Sequence, residues 1–228
     1  MSNHLDLEEQ EQIEQLKAFW AQYGNAITAL LVLVMLAFAA WNGYHYWQRQ
    51  QSAQAAALYD EVERLAQGGD LATAQRAFEE LTKRYPGTTY AQQSALTLAK
   101  VAIQGQKPDV AIAALRWASE NGSDTALSTV ARLRWAAVLM DGKDWDAALE
   151  VLRADAVDPE LQVAVLDRRA DAFVGKGDNA AAIENYKVSM SRASDKPDVQ
   201  RMLRIKLNAL GADAEPSVAA SGKVASAK

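Results

Sequence analysis

The feature that most constrains this chain is an uncharged apolar run near its N-terminus. No charged side chain occurs between residues 26 and 47, a run of 22 residues. At roughly 1.5 Å of rise per residue, an α-helix of that length extends about 33 Å, close to the thickness of a bilayer core. Aromatic residues, which favour the two water–lipid interfaces, gather toward both ends: Trp20, Tyr23, Trp41, Tyr44, Tyr46 and Trp47. We therefore expect residues 24–47 to form a transmembrane helix.

Two alternatives to an uncleaved membrane anchor stay open from the residues alone. The first is a helix buried in the core of a soluble domain, which has a similar composition. The second is a cleavable signal peptide, because Ala37, Phe38 and Ala39 fit the small-x-small cleavage pattern. The segment before the run is acidic rather than basic, and apolar and aromatic residues continue past that cleavage point. We therefore favour a signal anchor that stays attached.

Residues 1–23 form an acidic leader. They carry one aspartate and four glutamates against Lys17 alone, so they hold −4 of the formal net charge of −5. The rest of the chain is nearly neutral and lacks the basic surface that nucleic acids attract. Lys17 and Arg49 flank the apolar run on opposite sides, so the positive-inside rule leaves the sidedness of the chain open.

After residue 48 the composition predicts helices without sheet. Alanine is abundant, only 12 glycines and 5 prolines occur in the chain, and no run of alternating β-branched and aromatic residues is present. Short segments rich in glycine or aspartate separate the helical stretches at residues 68–70, 105–108, 141–143 and 175–177. We expect a glycine in each of them to take the left-handed conformation that ends a helix.

Small residues recur at a regular spacing through this part of the chain. Four alanines align at spacings of 40, 34 and 34 residues, namely Ala74, Ala114, Ala148 and Ala182. Four positions later stand Phe78, Ala118, Leu152 and Tyr186, so the second unit has alanine where the others have a larger residue. The first spacing predicts an insertion of about six residues relative to a 34-residue period. In the last two units, Ala136 and Ala170 occupy the matching place in the first half.

This pattern resembles the tetratricopeptide repeat, which has small residues at its eighth and twentieth positions and a larger one at its twenty-fourth. Pro86 matches the thirty-second position of that repeat. The resemblance implies helix pairs that cross closely at the small residues. Residues 48–210 are therefore expected to form an all-α, right-handed helical solenoid. Its C-terminal capping helix would begin at Pro197, and residues 211–228 would form a disordered tail.

The arrangements of side chains that are typical of enzymes and metal sites are missing from this sequence. The chain has no cysteine, and its only histidines, His4 and His45, have no second ligand at metal-binding spacing. No hydrolase elbow, phosphate-binding loop or dinucleotide fingerprint occurs. Carboxylate pairs such as Glu79 and Glu80 are typical of solvated helix faces. We therefore predict no catalytic residue, metal, cofactor or small-molecule substrate, and we predict a protein-binding function instead.

Stacked helix pairs present the first helix of each unit on a concave face, which can accept a partner's helix or extended segment. Six residues of the third and fourth units are the candidates for this face: Leu133, Ala137, Met140, Asp167, Asp171 and Val174. The alternative for several of them is packing between helices. Replacing Met140 and Val174 together with aspartate should weaken partner binding if the first interpretation holds.

The layout of the whole chain resembles the ancillary subunit of the SecYEG translocon of Gram-negative inner membranes. The most specific segments are LEEQEQIEQLKAFWAQYGNAI and, after the apolar run, YHYWQRQQSAQAAALYDEV; the resemblance covers residues 5–210. It implies a cytoplasmic leader, a periplasmic repeat domain, and association with the translocon. It also implies association with a membrane-anchored periplasmic chaperone of the peptidyl-prolyl isomerase type, in the biogenesis of secreted or membrane proteins.

Two other functions are compatible with the same residues. One is an assembly scaffold of the cell envelope or the division apparatus, which would use the same repeats. The other is a regulator that sequesters a cytoplasmic response protein through the acidic leader. An enzyme is the least supported class, because no constellation of catalytic residues occurs.

Overall fold

The computed structural model describes residues 7–153 and 157–212. In that part the chain forms nine α-helices and one 3-10 turn, Pro159–Leu161, with no strand. The α-helices are α1 Leu7–Gln67, α2 Leu71–Arg84, α3 Thr89–Gln104, α4 Pro108–Asn121, α5 Thr125–Asp141, α6 Trp145–Val151, α7 Gln162–Lys176, α8 Asn179–Arg192 and α9 Pro197–Ala209. The chain divides into two compact units, and the boundary lies between Ala53 and Gln54. The start of the predicted leader and residues 213–228 of the predicted tail lie outside the described residues.

The N-terminal unit consists of the first part of α1. This helix contains a stretch long and apolar enough to span a membrane, and only 6% of the most apolar 18 residues are buried. The side chains from Leu30 to Leu36 are 51% to 71% exposed. A helix in the core of a soluble domain would bury these side chains, so the exposed apolar surface favours the membrane anchor over that alternative.

The second unit consists of four helix pairs followed by a single helix. The pairs are the end of α1 with α2, α3 with α4, α5 with α6, and α7 with α8; α9 follows them. Three of the second helices begin with an aspartate whose carboxylate accepts a hydrogen bond from the backbone N–H three residues later: Asp70, Asp144 and Asp178. In α4 the cap position holds Lys107, and Pro108 takes the first helical position instead.

The first helix of each pair and the single helix α9 end in the same backbone motif. A backbone N–H after the helix bonds to the carbonyl five residues before it, in the pairs Asp70–Leu65, Lys107–Ala102, Asp144–Leu139, Asp178–Phe173 and Ala212–Leu207. The residue before each donor has a positive φ: Gly69, Gln106, Lys143, Gly177 and Gly211. The predicted turns are thus confirmed. The prediction that a glycine takes the left-handed conformation is wrong in two of them, where Gly105 and Gly142 have φ of −82° and −78°.

This motif corrects the alignment of the second repeat, which is the helix pair α3 and α4. In the four helix pairs, the fifth residue after the left-handed residue is a fully buried alanine: Ala74, Ala111, Ala148 and Ala182. The alignment on Ala114 is therefore wrong by three residues, and the spacings are 37, 37 and 34 residues. Four positions after Ala111 stands Leu115, which is 0% exposed. Every repeat therefore has a larger residue at this position, including the second, where the sequence alignment had placed Ala118.

The helix pairs share continuous apolar cores. Ala99, Ala136 and Ala170 are at most 1% exposed, as expected for small residues where paired helices cross closely. The predicted capping helix is confirmed as α9, whose Leu203 and Leu207 are 0% exposed and pack with residues of α7 and α8. Tetratricopeptide-like pairing therefore accounts for the described part of the second unit.

Candidate interaction surface

The six predicted surface residues lie on two neighbouring first helices but differ in their surroundings. α5 supplies Leu133, Ala137 and Met140, and α7 supplies Asp167, Asp171 and Val174. Leu133 and Met140 are partly buried and pack against a core cluster formed by Ala136, Ala148, Leu152 and Val165. Val174 is 38% exposed. Of the apolar side chains predicted for this face, Val174 is therefore the most accessible.

The two aspartates are engaged within the domain. Lys206 of α9 places its Nζ 2.7 Å from Oδ1 of both Asp167 and Asp171. Asp171 also accepts a hydrogen bond of 2.5 Å from the hydroxyl of Tyr186 on α8. These contacts connect α7 to both α8 and α9. The carboxylates thus join the last three helices of the domain, which the sequence-based assignment to a binding face did not anticipate.

One lysine faces two carboxylates here, and burial shifts the pKa of Asp167. Burial raises the pKa of Asp167, and the neighbouring Asp171 raises it further, against the opposing effect of Lys206. Burial likewise raises the pKa of Tyr186, whose hydroxyl donates to Asp171, so it stays protonated. The cluster therefore holds a protonated donor on α8 and a cation on α9 against the carboxylates of α7.

The corrected register identifies a row of apolar side chains on three successive first helices. The third residue before the left-handed position is Ile103 in α3, Met140 in α5 and Val174 in α7. We call these three residues the apolar row. Ile103 is 45% exposed, more than Val174. The sequence alignment missed Ile103 because the three-residue error places Gln106 at that position.

Two clefts meet at Ile103. The first lies between α3 and α5, has a volume of about 340 Å³, and is lined by Ala99, Lys100, Ile103, Gln104 and Arg134. The second is lined by Ile103, Pro108, Val138, Asp141 and Gly142. Together they place apolar surface beside two cations at one end and a carboxylate at the other. Such a surface can bury an aliphatic side chain and pair with charged groups of a polypeptide.

Metal or acid–base chemistry has no comparable basis on this surface. Among the residues that the structure describes, no group of His, Cys, Asp or Glu is arranged to hold a metal ion. Several described carboxylates are bound to lysines, arginines or helix N-termini, as in Asp146 with Lys176. What the arrangement offers is a contact surface for another chain.

The match to a known family model agrees with this architecture. Residues 17–212 match the family model described as a tetratricopeptide repeat-like domain. Among solved structures, the crystal structure of MamA is similar with a TM-score of 0.46 and 21% sequence identity, over 65% of this chain and 83% of that one.

Curated relatives match over nearly the whole length. The ancillary SecYEG translocon subunit of Escherichia coli is 31% identical over 208 residues, covering 89% of this chain and 96% of that protein. The proteins of the same name from Haemophilus influenzae and Neisseria gonorrhoeae are 30% and 27% identical, and in both cases 90% of this chain and 98% of the relative are covered. The chain therefore belongs to the family of ancillary SecYEG translocon subunits, built on a tetratricopeptide repeat-like domain.

Proposed function

We propose that this protein is a membrane-anchored, non-enzymatic interaction subunit that associates with the Sec translocon. The observation that carries the proposal is the match, over about nine-tenths of the chain, to relatives named as ancillary SecYEG translocon subunits. The exposed apolar part of α1 supports the anchor, because the chain leaves that surface uncovered. Helix pairs with an accessible first-helix surface support a role in binding other proteins.

The proposed location is the bacterial inner membrane, crossed once, with a cytoplasmic N-terminus and a periplasmic repeat domain. The lipid bilayer would contact the exposed side chains of α1, including Leu30 to Leu36. The resemblance to the family also supports a second partner, a membrane-anchored periplasmic chaperone of the peptidyl-prolyl isomerase type. In this role the repeat domain would help secreted or membrane proteins pass from the translocon to their chaperones.

The apolar row is the proposed contact surface for partner proteins. Ala137 and Val174 remain candidates from the predicted set, and Ile103 extends the surface to α3. Met140 lies in the same row but packs partly against the core, so replacing it would also disturb the fold. The accessible positions Ile103 and Val174 are therefore the better probes of binding.

Quantitative co-purification from native membranes tests this proposal. The tagged full-length chain would be solubilised in mild detergent, and the translocon channel and chaperones recovered with it would be measured by mass spectrometry. We expect the wild type to recover the translocon, and an Ile103→Asp/Val174→Asp variant to lose most of the protein partners bound at the repeat domain. Val188→Asp is the matched control, because Val188 is 37% exposed on the second helix α8.

The outcomes separate the two parts of the proposal. A wild-type sample that recovers envelope or division proteins but no translocon would refute the association with Sec. Equal recovery of every partner by the wild type and the double variant, with unchanged helical content, would refute binding through the apolar row.

A further inference from the structure

The groove around Ile103 carries unpaired positive charge at one end only. Lys100 and Arg134 both line the cleft between α3 and α5, and both are exposed. The ion pairs found in the described part of the chain include neither of them. The other end of the groove bears Asp141. The groove therefore has positive charge at one end and negative charge at the other.

Two exposed cations on the second helices have a carboxylate close by. Arg84 pairs with Glu80 and Arg116 pairs with Glu120, each within one turn of the same helix. A local carboxylate thus neutralises these side chains, whereas the cations of the groove face an open cleft. A carboxylate brought by a partner would complete the pairing there without displacing one that the protein already supplies.

The floor between the charges is apolar and partly shielded. Val138 is 9% exposed and Ala99 is 1% exposed, while Ile103 rises between the two clefts with 45% of its surface exposed. An aliphatic side chain laid against Ile103 would remove apolar surface from water on both partners, which favours association.

We infer that this groove binds an acidic–aliphatic segment of a partner polypeptide, with its Asp or Glu beside Lys100 and Arg134 and its aliphatic side chain against Ile103. The carboxylate lies at the cationic end, and the segment avoids a second acid next to Asp141 because like charges repel there. This inference rests on the proposed role of the repeat domain in binding proteins, and it specifies the chemistry of the partner.

Three amidated 12-residue peptides test the inference by fluorescence anisotropy with the full-length chain in lipid nanodiscs. The first carries two aspartates next to two leucines, the second has lysines in place of the aspartates, and the third has serines in place of the leucines. We expect the first peptide to bind about tenfold more tightly than the second, as expected for two charge pairs at a partly exposed site. It should also bind more tightly than the third, because serine buries less apolar surface than leucine. Salt should weaken the first peptide selectively.

Charge reversal supplies the matched variants. Lys100→Glu/Arg134→Glu should invert the preference between the aspartate and lysine peptides. Arg76→Glu/Lys187→Glu makes the same change of net charge at exposed cations of α2 and α8, and should leave the preference unchanged. Equal binding of the aspartate and lysine peptides to the wild type, or the same effect of both double variants, would overturn the inference.

The same variants keep this inference apart from the proposed function. If the peptides show no charge preference while Ile103→Asp/Val174→Asp still loses its partners in co-purification, the acidic partner segment is refuted and the interaction subunit stands. If the peptide preference follows the charge reversal while the wild type recovers no translocon, the association with Sec is refuted and the specificity of the groove stands.

Discussion

A buried glutamine fixes the turn between α4 and α5, and its removal gives a sharp test of the structure. Gln92 of α3 is 0% exposed. Its amide nitrogen lies 3.2 Å from the carbonyl oxygen of Ala118, 3.1 Å from that of Asp124 and 3.0 Å from the hydroxyl of Ser128. Its amide oxygen accepts a 3.0 Å hydrogen bond from the backbone N–H of Asp124. One side chain thus contacts backbone groups on both sides of the turn, and its amide oxygen is the partner of the Asp124 N–H.

Gly122 makes room for this side chain. A Cβ atom at Gly122 would lie 1.5 Å from Nε2 of Gln92 and 2.0 Å from its Cδ, although the backbone conformation there, with φ of −74° and ψ of 143°, suits any residue. Gly122→Ala must therefore displace Gln92 from its hydrogen bonds. Leaving the Asp124 N–H and the displaced amide of Gln92 unpaired should lower the free energy of unfolding by about 2 to 4 kcal/mol, at roughly 1–3 kcal/mol per unsatisfied group.

Gln92→Ala should cost a similar amount, because it removes the same hydrogen bonds. It also removes the three side-chain atoms that a Cβ at Gly122 would strike. Adding Gly122→Ala to Gln92→Ala should therefore cost little more, giving a coupling energy of about 2 kcal/mol in a double-mutant cycle. Urea unfolding of the full-length chain in detergent micelles, followed by circular dichroism, measures the four free energies.

Additive effects would refute this account of the turn. If the double variant loses the sum of the two single losses, the alanine at position 122 acts through something other than Gln92. A Gly122→Ala variant as stable as the wild type would show that Gln92 does not occupy the space next to that glycine.

Two further predictions concern close packing and protonation. Gly175→Ala would place a Cβ 2.5 Å from the ring of Trp145 and should destabilise the chain by about 2 kcal/mol, whereas Gly142→Ala, with its nearest atom at 3.4 Å, should be nearly neutral in thermal unfolding. Because burial raises the pKa of Asp167, protonation of its carboxyl group stabilises the folded state at low pH. This stabilisation is lost as the pH rises through the raised pKa. Asp167→Asn should thus be at least as stable as the wild type at pH 7 and lose this pH dependence; a large destabilisation at pH 7 would contradict the pKa shift.

The helix pairs and their turns could be predicted from sequence because the signals are local. Asp70, Asp144 and Asp178 each cap a helix through a backbone group three residues away. Gly69 and Gly177 take the left-handed conformation that glycine allows without steric cost. Each of these choices is visible within a few residues of the sequence.

The register of the second repeat, α3 and α4, could not be predicted in the same way. α4 contains four alanines, and the 0–1% exposure of Ala111, Ala114 and Ala118 shows that composition cannot tell which one marks the crossing point. The left-handed residue that sets the register is Gln106, which carries no sequence signal for that conformation. The exposed Ile103 was missed for this reason.

Side chains that meet across the fold were also beyond sequence reasoning. Gln92 and its partners are separated by 26 to 36 residues, and Lys206 is separated from Asp167 and Asp171 by 39 and 35 residues. Asp167 and Asp171 fit a solvent-facing stripe of α7 when that helix is considered alone. Only the position of α9 shows that these carboxylates are engaged within the domain.

Site-specific photo-crosslinking in native membranes tests most directly whether the first helices of this anchored repeat domain meet the secretion machinery. A photoreactive amino acid would replace Ile103 or Val174 on first helices, or Val188 on a second helix, and the adducts would be identified by mass spectrometry. The account predicts adducts with subunits or chaperones of the translocon at the first two positions and few at the third. Adducts confined to position 188, or none with the secretion machinery at any position, would contradict it.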